Sequence, residues 1–189
     1  MGNRPGELLD IEQGGNVLNI LPKSRLRGFS LIELMIGIVI MGILAAVALP
    51  SFRTMLQNTQ IRNAAESIAN GLQHARTEAV ARNTNVAFIL GTGSSWTISV
   101  VMPALVIEQR ISSEGSKNVT RTALPADAAI VTFNNFGTVV ANADASASLT
   151  QVDLAAVGGS QNLRVTVGVG GNARMCDLSL ASGSTPRAC

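Results

Sequence analysis

Few side chains in this sequence have the chemistry and setting to do more than fold. Glu33 is the only formal charge between Gly28 and Leu49, in a stretch that runs apolar from Leu31 to Leu49. A carboxylate near the centre of a lipid-buried helix costs on the order of 2.5–3.5 kcal/mol, less towards the interface, so such a residue is a functional hypothesis by default. A buried carboxylate is tolerated when a cation satisfies it. Cys176 and Cys189 are the only cysteines, and His74 is the only histidine. No His, Cys or carboxylate cluster has metal-ligand spacing, so the expectation is no metal and no cofactor, with His74 an ordinary residue on a helix surface. Ser-His-Asp catalysis would have to use His74 without a nucleophile elbow nearby. Gly168-Val169-Gly170-Gly171 lacks the lysine and helix start of a phosphate loop. The expected protein is not an enzyme. Arg164, Arg174 and Arg187 against Asp177 leave the last 27 residues at about +2, enough for a few salt-sensitive phosphate contacts. Solvated tail arginines are the simpler account of them.

The elements that carry these residues follow from the apolar pattern. The 19 residues from Leu31 to Leu49, as a helix rising about 1.5 Å per residue, reach roughly the 30 Å of a bilayer core. Lys23, Arg25 and Arg27 precede the run, and the first cations after it are Arg53 and Arg62. That asymmetry puts the N-terminal side in the cytoplasm and the bulk of the chain outside. Two cysteines in an oxidising compartment favour a disulfide, which would close a terminal ring worth on the order of 3 kcal/mol. A secretory signal peptide cut near Ala45, Ala46 or Ala48 is the competing reading. The run is longer than a usual signal core, carries a carboxylate near its start and continues into another helix.

Arg27-Gly28-Phe29-Ser30-Leu31-Ile32-Glu33-Leu34 resembles the prepilin signal of type IV pilins and type II secretion pseudopilins. The resemblance implies that a prepilin peptidase cuts between Gly28 and Phe29 and methylates the new N-terminus. It also implies that Glu33 pairs with the N-terminal amine of a neighbouring subunit during filament assembly. Residues 1–28 would then be a leader, long for this family. Either the leader is extended or translation starts further in, and both stay open.

Beyond Pro50, which should kink the helix by removing a donor, the apolar residues become a stripe. Phe52, Met55, Leu56, Ala64, Ala65, Ile68, Leu72, Ala75, Ala79 and Val80 recur at spacings of three and four, the mark of an amphipathic helix. Arg62–Glu66 and Glu78–Arg82 are four apart and support it. Asn83-Thr84-Asn85 stops it, giving a helix from Phe29 to Arg82 and an amphipathic portion over 51–84. Gln73-His74-Ala75-Arg76-Thr77-Glu78-Ala79-Val80 is similar to a stretch of the GspH/FimT branch, which holds the minor pseudopilin H of type II secretion and the FimT and FimU minor pilins.

Residues 85–189 read as an extracytoplasmic β-rich domain. The expected strands are Val86–Leu90, Trp96–Val101, Leu105–Ile111, Ile130–Phe133, Thr138–Ala141 and Leu163–Val169. Ser112–Thr122 reads as a loop, and Asn142–Ser148 as a mobile one. An antiparallel sheet should pack its apolar face on the helix stripe, giving an α+β fold of the type IV pilin kind. The tail from Arg174 to Asp177 and from Thr185 to Cys189 resembles the short cystine loop that ends FimT-type minor pilins. Some of that group bind DNA through Gly-Arg-x-Arg. Here the positions read Gly171-Asn172-Ala173-Arg174, so the first arginine is missing and DNA binding should be weak and sequence-independent. Residues 29–189 hold ten cations and nine acids, and no global charge draws the chain to nucleic acid.

The expectation is therefore a low-abundance minor pilin of a type IV pilus, incorporated through its N-terminal helix and supporting assembly or DNA uptake. Its partners would be prepilin peptidase and other major and minor pilins. Its place would be the bacterial inner membrane, single-pass with the domain in the periplasm, and then the filament. The alternatives are pseudopilin H of the type II secretion system and, more remotely, a membrane-anchored binding module.

Overall fold

Ser30 starts the helix. Its Oγ accepts the Glu33 amide N–H at 3.2 Å, and the pair forms the Ser-x-x-Glu pattern in which a hydroxyl caps an orphan donor of the first turn. In the computed structural model, which describes residues 28–183 and 185–189, α1 accordingly spans Leu31–Arg82, two residues shorter at its start than Phe29 would give. The leader expected over residues 1–28 lies, up to residue 27, outside the described residues. The chain divides into two compact units, one ending at Gly42 and the other Ile43–Cys189.

In the first unit the described helical residues, Leu31 to Gly42, are all exposed. In the second, α1 runs on through Pro50, and the apolar stripe begins to pack later than its sequence period implies. Phe52, Met55 and Leu56 stay exposed, whereas Ile61, Ala64, Ala65, Ile68, Leu72, Ala75 and Ala79 are fully buried. Val80 leaves the stripe and is exposed. The expected pairs Arg62–Glu66 and Arg82–Glu78 both form.

Nine strands follow: β1 Val86–Leu90, β2 Trp96–Val100, β3 Leu105–Arg110, β4 Val119–Leu124, β5 Ile130–Phe133, β6 Val139–Val140, β7 Gln151–Ala156, β8 Leu163–Val167 and β9 Ala173–Asp177. They form two antiparallel sheets instead of the single one expected, in the orders β3-β2-β1-β5-β6 and β4-β7-β8-β9. Three strand assignments correct the sequence reading. β4 occupies the end of the stretch expected to be a loop and runs beyond it, paired along its whole length with β7 from Val119 opposite Ala156 to Leu124 opposite Gln151. β7 and β9 carry only a few apolar residues each and take their place by pairing on both sides of β8, Val152 opposite Val165 and Val167 opposite Ala173. The stretch 142–148 is held by Asn142, buried, which accepts from Thr132 Oγ1 at 2.9 Å and donates to Ile130 O and Ser146 O. A parallel bridge from Ile130 to Ser148 ties it to β5.

One core joins the helix stripe to both sheets, with Phe88, Phe133, Ile98, Leu154 and Val165 fully buried in it. Helix and sheet approach most tightly at Gly71, where a Cβ would stand 2.9 Å from the Phe88 ring and 3.0 Å from the Trp96 ring. The indole N–H is satisfied there by Ser67 Oγ at 2.8 Å, as a buried donor requires. Polar side chains on the rest of α1 hold the loops. Asn58 Oδ1 accepts from the Ser160 and Gln161 amides, Gln60 Oε1 from the Asn118 amide, and Arg76 Nε donates to Gly137 O at 3.0 Å. At that last contact Gly171, φ +78°, lies so close that a Cβ would stand 2.0 Å from Gly137 O.

Candidate functional site

Two regions hold the residues singled out by chemistry. In the first, Ser30 caps α1 and Glu33 sits in its first turn, where the positive end of the helix dipole favours a carboxylate. The large apolar side chains from Phe29 to Leu49 are exposed by 52% (Ile40, Leu49) to 84% (Phe29), against zero for the core positions of the same helix further on. The helix is long and apolar enough to cross a membrane, by length and composition. An apolar surface this extensive marks a lipid or protein contact. Glu33 is the one ionisable side chain on it. The capping link between Ser30 and Glu33 was missed in the sequence reading, although the Ser-x-x-Glu spacing was there to be read.

The second region is the C-terminal tail. Cys176 and Cys189 are disulfide-bonded with Cα atoms 5.1 Å apart. The loop they close lies along β9, where Asp177 N donates to Arg187 O at 2.7 Å and Asp177 bridges Ala188 in parallel. Asp177 Oδ1 accepts the Ser179 amide and so braces the turn. The three arginines do not form one free cationic patch. Arg164 makes a two-pronged contact with Asp153, its strand neighbour on β7, at 2.7 and 2.8 Å. The hydrogen-bonded carboxylate raises the guanidinium's pKa further. Arg174 lies opposite Thr166 on the neighbouring strand and is exposed. Arg187 lines a small cavity of about 70 Å³ with Arg62, Met175 and Asp177. Among the described residues no ion pair involves Arg174 or Arg187.

His74 is more than a solvated helix residue. Its Nδ1 lies 2.6 Å from Glu108 Oε2 on β3 and its Nε2 3.4 Å from Glu78 Oε1, one turn on along α1. Glu78 is bound in turn by Arg82, whose hydrogen bond is the main cause of a carboxyl pKa below the usual range. The Glu78 contact was visible as an i, i+4 spacing, whereas Glu108 reaches the ring only through the fold. The two carboxylates meet opposite nitrogens of the ring and do not converge. No group of three or more metal-ligating side chains occurs among the described residues.

Comparison with known proteins decides the family. The family model described as type II transport protein GspH matches residues 64–183, well over half of the chain. The chain belongs to the GspH family. This GspH-family chain also matches, over residues 23–49, the model of the prokaryotic N-terminal methylation motif, and the two together make it a type IV pilin-like protein of the GspH/FimT branch. Type IV major fimbrial protein FimA of Dichelobacter nodosus is 47% identical over 51 residues, which are 27% of this chain and 31% of that protein. FimA of strain VCS1703A gives the same figures. The GspH-family chain thus matches about a third of the length of these relatives. Two crystal structures of the type IV minor pilin FimU of Pseudomonas aeruginosa align with 68% of the chain: 98% of one at 18% identity and TM-score 0.46, and 94% of the other at 17% and 0.48.

Proposed function

We propose that the chain is a minor subunit of a type IV pilus, made as a membrane-anchored precursor and incorporated through the N-terminal part of α1. What supports this reading most is the coincidence of the methylation motif over residues 23–49 with a helix surface whose apolar side chains are all exposed. Lipid covers that surface before assembly, and the same surface fits among sister helices afterwards. In this reading prepilin peptidase cuts between Gly28 and Phe29 and the amine of Phe29 is methylated. The carboxylate of Glu33, four residues on, then takes the amino group of an adjoining subunit as its counter-ion, since burial in an apolar filament core is costly for an unpaired charge. The domain after the helix is periplasmic and meets other major and minor pilins.

The second reading, a pseudopilin H of the type II secretion system, is favoured by the description of the family model that matches residues 64–183. Both share the processing step. Mass spectrometry of the mature protein from cells with and without prepilin peptidase tests it. The expected product starts at methylated Phe29 and is absent without the peptidase. A product starting after Ala45, Ala46 or Ala48 refutes both readings. A deletion strain separates the two: loss of pili or transformation supports the first, loss of exoprotein secretion the second. In either reading DNA contact through Arg174 and Arg187 is weak, since Arg164 is engaged by Asp153.

A further inference from the structure

β3 is the open edge of the five-stranded sheet and pairs on one side only, with β2. That pairing breaks step midway: Ile98 faces Glu108 and Ser99 faces Val106, so Ile107 is a bulged residue without a partner, and a bulge interrupts the ladder locally. Leu105 and Val106 on the same strand are exposed. A strand with so few buried contacts opens at lower cost than the core. Among the described residues a single side-chain hydrogen bond links β3 to α1, that of His74 Nδ1 with Glu108 Oε2 at 2.6 Å. Nε2 of the same ring lies 3.4 Å from Glu78 Oε1. Two other charged groups stand near the ring. Arg82 is bound to Glu78, and Arg110, which lines a cavity of about 180 Å³ together with His74 and Glu108, donates to Glu114 O at 3.0 Å.

Each ring nitrogen thus faces a carboxylate, and an ionised carboxylate only accepts. The imidazolium carries a proton on both nitrogens and satisfies both partners. A neutral imidazole carries one proton, so one carboxylate then meets a lone pair, and the bond that remains loses the charge attraction that strengthens such contacts. We infer that His74 is a pH-operated clasp between α1 and the edge of the five-stranded sheet: the imidazolium fastens β3 to the helix, and the neutral ring loosens it. The contribution is present on the acid side of the imidazole titration and is lost as pH rises through it. Further into acid it ends where the carboxylates take up protons. Arg82 first, and His74 after it, hold the Glu78 carboxyl below its ordinary pKa and so extend that end of the range. His74 is the only histidine and both cysteines are disulfide-bonded, so no other side chain of the domain changes charge between about pH 5 and about pH 8. The clasp lies apart from the N-terminal helix segment and the cystine tail in sequence, and it does not depend on which filament the chain joins.

The test is hydrogen–deuterium exchange of the full chain in detergent micelles, read by mass spectrometry at about pH 5 and about pH 8, on either side of an ordinary imidazole titration, with rates corrected for the intrinsic effect of pH. Peptides covering β3 report the clasp. Those covering β4, the edge of the other sheet, serve as the control. Both His74 and Glu108 are partly exposed, so the effect is that of a surface ion pair: protection of β3 should fall by about two- to fivefold between the lower and the higher pH, with β4 unchanged. His74→Gln should hold β3 at the weaker protection at both pH values. Glu108→Gln, whose side-chain amide pairs with the ring in either protonation state, should also abolish the pH dependence. Equal protection of β3 at the two pH values in the wild-type chain overturns the inference, and so does a parallel fall in β4. A pH dependence that persists in His74→Gln or in Glu108→Gln overturns it as well.

Discussion

A carboxylate's setting decides what it does in this chain, as Glu33 and Glu78 show. Glu33 sits on an apolar, exposed helix surface, so its charge becomes costly only when that surface is covered. The expected result for Glu33→Ala is a stable precursor that is processed normally and fails to enter filaments, read by immunoblotting of sheared filaments against membranes. Unchanged incorporation would remove the proposed ion pair. Glu78 is already paired, by Arg82 first and by His74. Because its folded pKa is depressed, its contribution to stability is present above the unfolded value and is lost as pH falls through the folded one. Glu78→Gln should therefore lower the melting temperature at neutral pH, and the difference from wild type should narrow at acid pH, as the folded state too takes up the proton. Melting curves at the two pH values check the sign.

At the scale of elements, α1 has a different role in each stretch, and packing separates the stretches where hydrophobicity does not. From Ile61 to Ala79 the stripe is made of alanines and a few large residues, and small side chains let the sheets come close. Gly71 is the tightest point, against the rings of Phe88 and Trp96. Gly71→Ala gains helix propensity but pushes a methyl into two ring edges. Overpacking of this kind costs about 1–3 kcal/mol, against a propensity gain of about 1 kcal/mol. The net expectation is loss of stability by chemical denaturation, with a change in Trp96 fluorescence because its bond to Ser67 lies beside the inserted methyl. The period of the stripe was legible in sequence. That Phe52, Met55 and Leu56 share the period yet stay exposed was not, since periodicity names a face and says nothing of where its partner begins.

For the whole molecule, the terminal disulfide fastens the edge of the four-stranded sheet. β9 is that sheet's last strand, and the tail adds a short parallel bridge at Asp177 and Ala188 along its outer side. Cys176→Ser should cost on the order of 3 kcal/mol by loss of the ring's constraint on the unfolded chain. The loss should appear first as faster amide exchange in β9 and the tail, with β1 and β5 protected until global unfolding. Uniform exchange across both sheets would instead make the ring a determinant of the whole core.

The sequence by itself determined the long helix with its end at Arg82, the apolar N-terminal surface with one acid, the strands of strongest alternation and the pairing of the two cysteines. These follow from local chemistry: hydrophobic period, the stop residues at the helix end, and a cysteine count with one solution. The tertiary structure alone decided that the strands divide into two sheets and that β4, β7 and β9 exist at all, because weakly patterned segments become strands only when a neighbour supplies hydrogen bonds. It alone placed Asp153 against Arg164 and Glu108 against His74, eleven and 34 residues away in the chain. Spacing reveals a partner one helical turn away, but a partner across a sheet or between layers is set by register and packing, which depend on the whole chain at once.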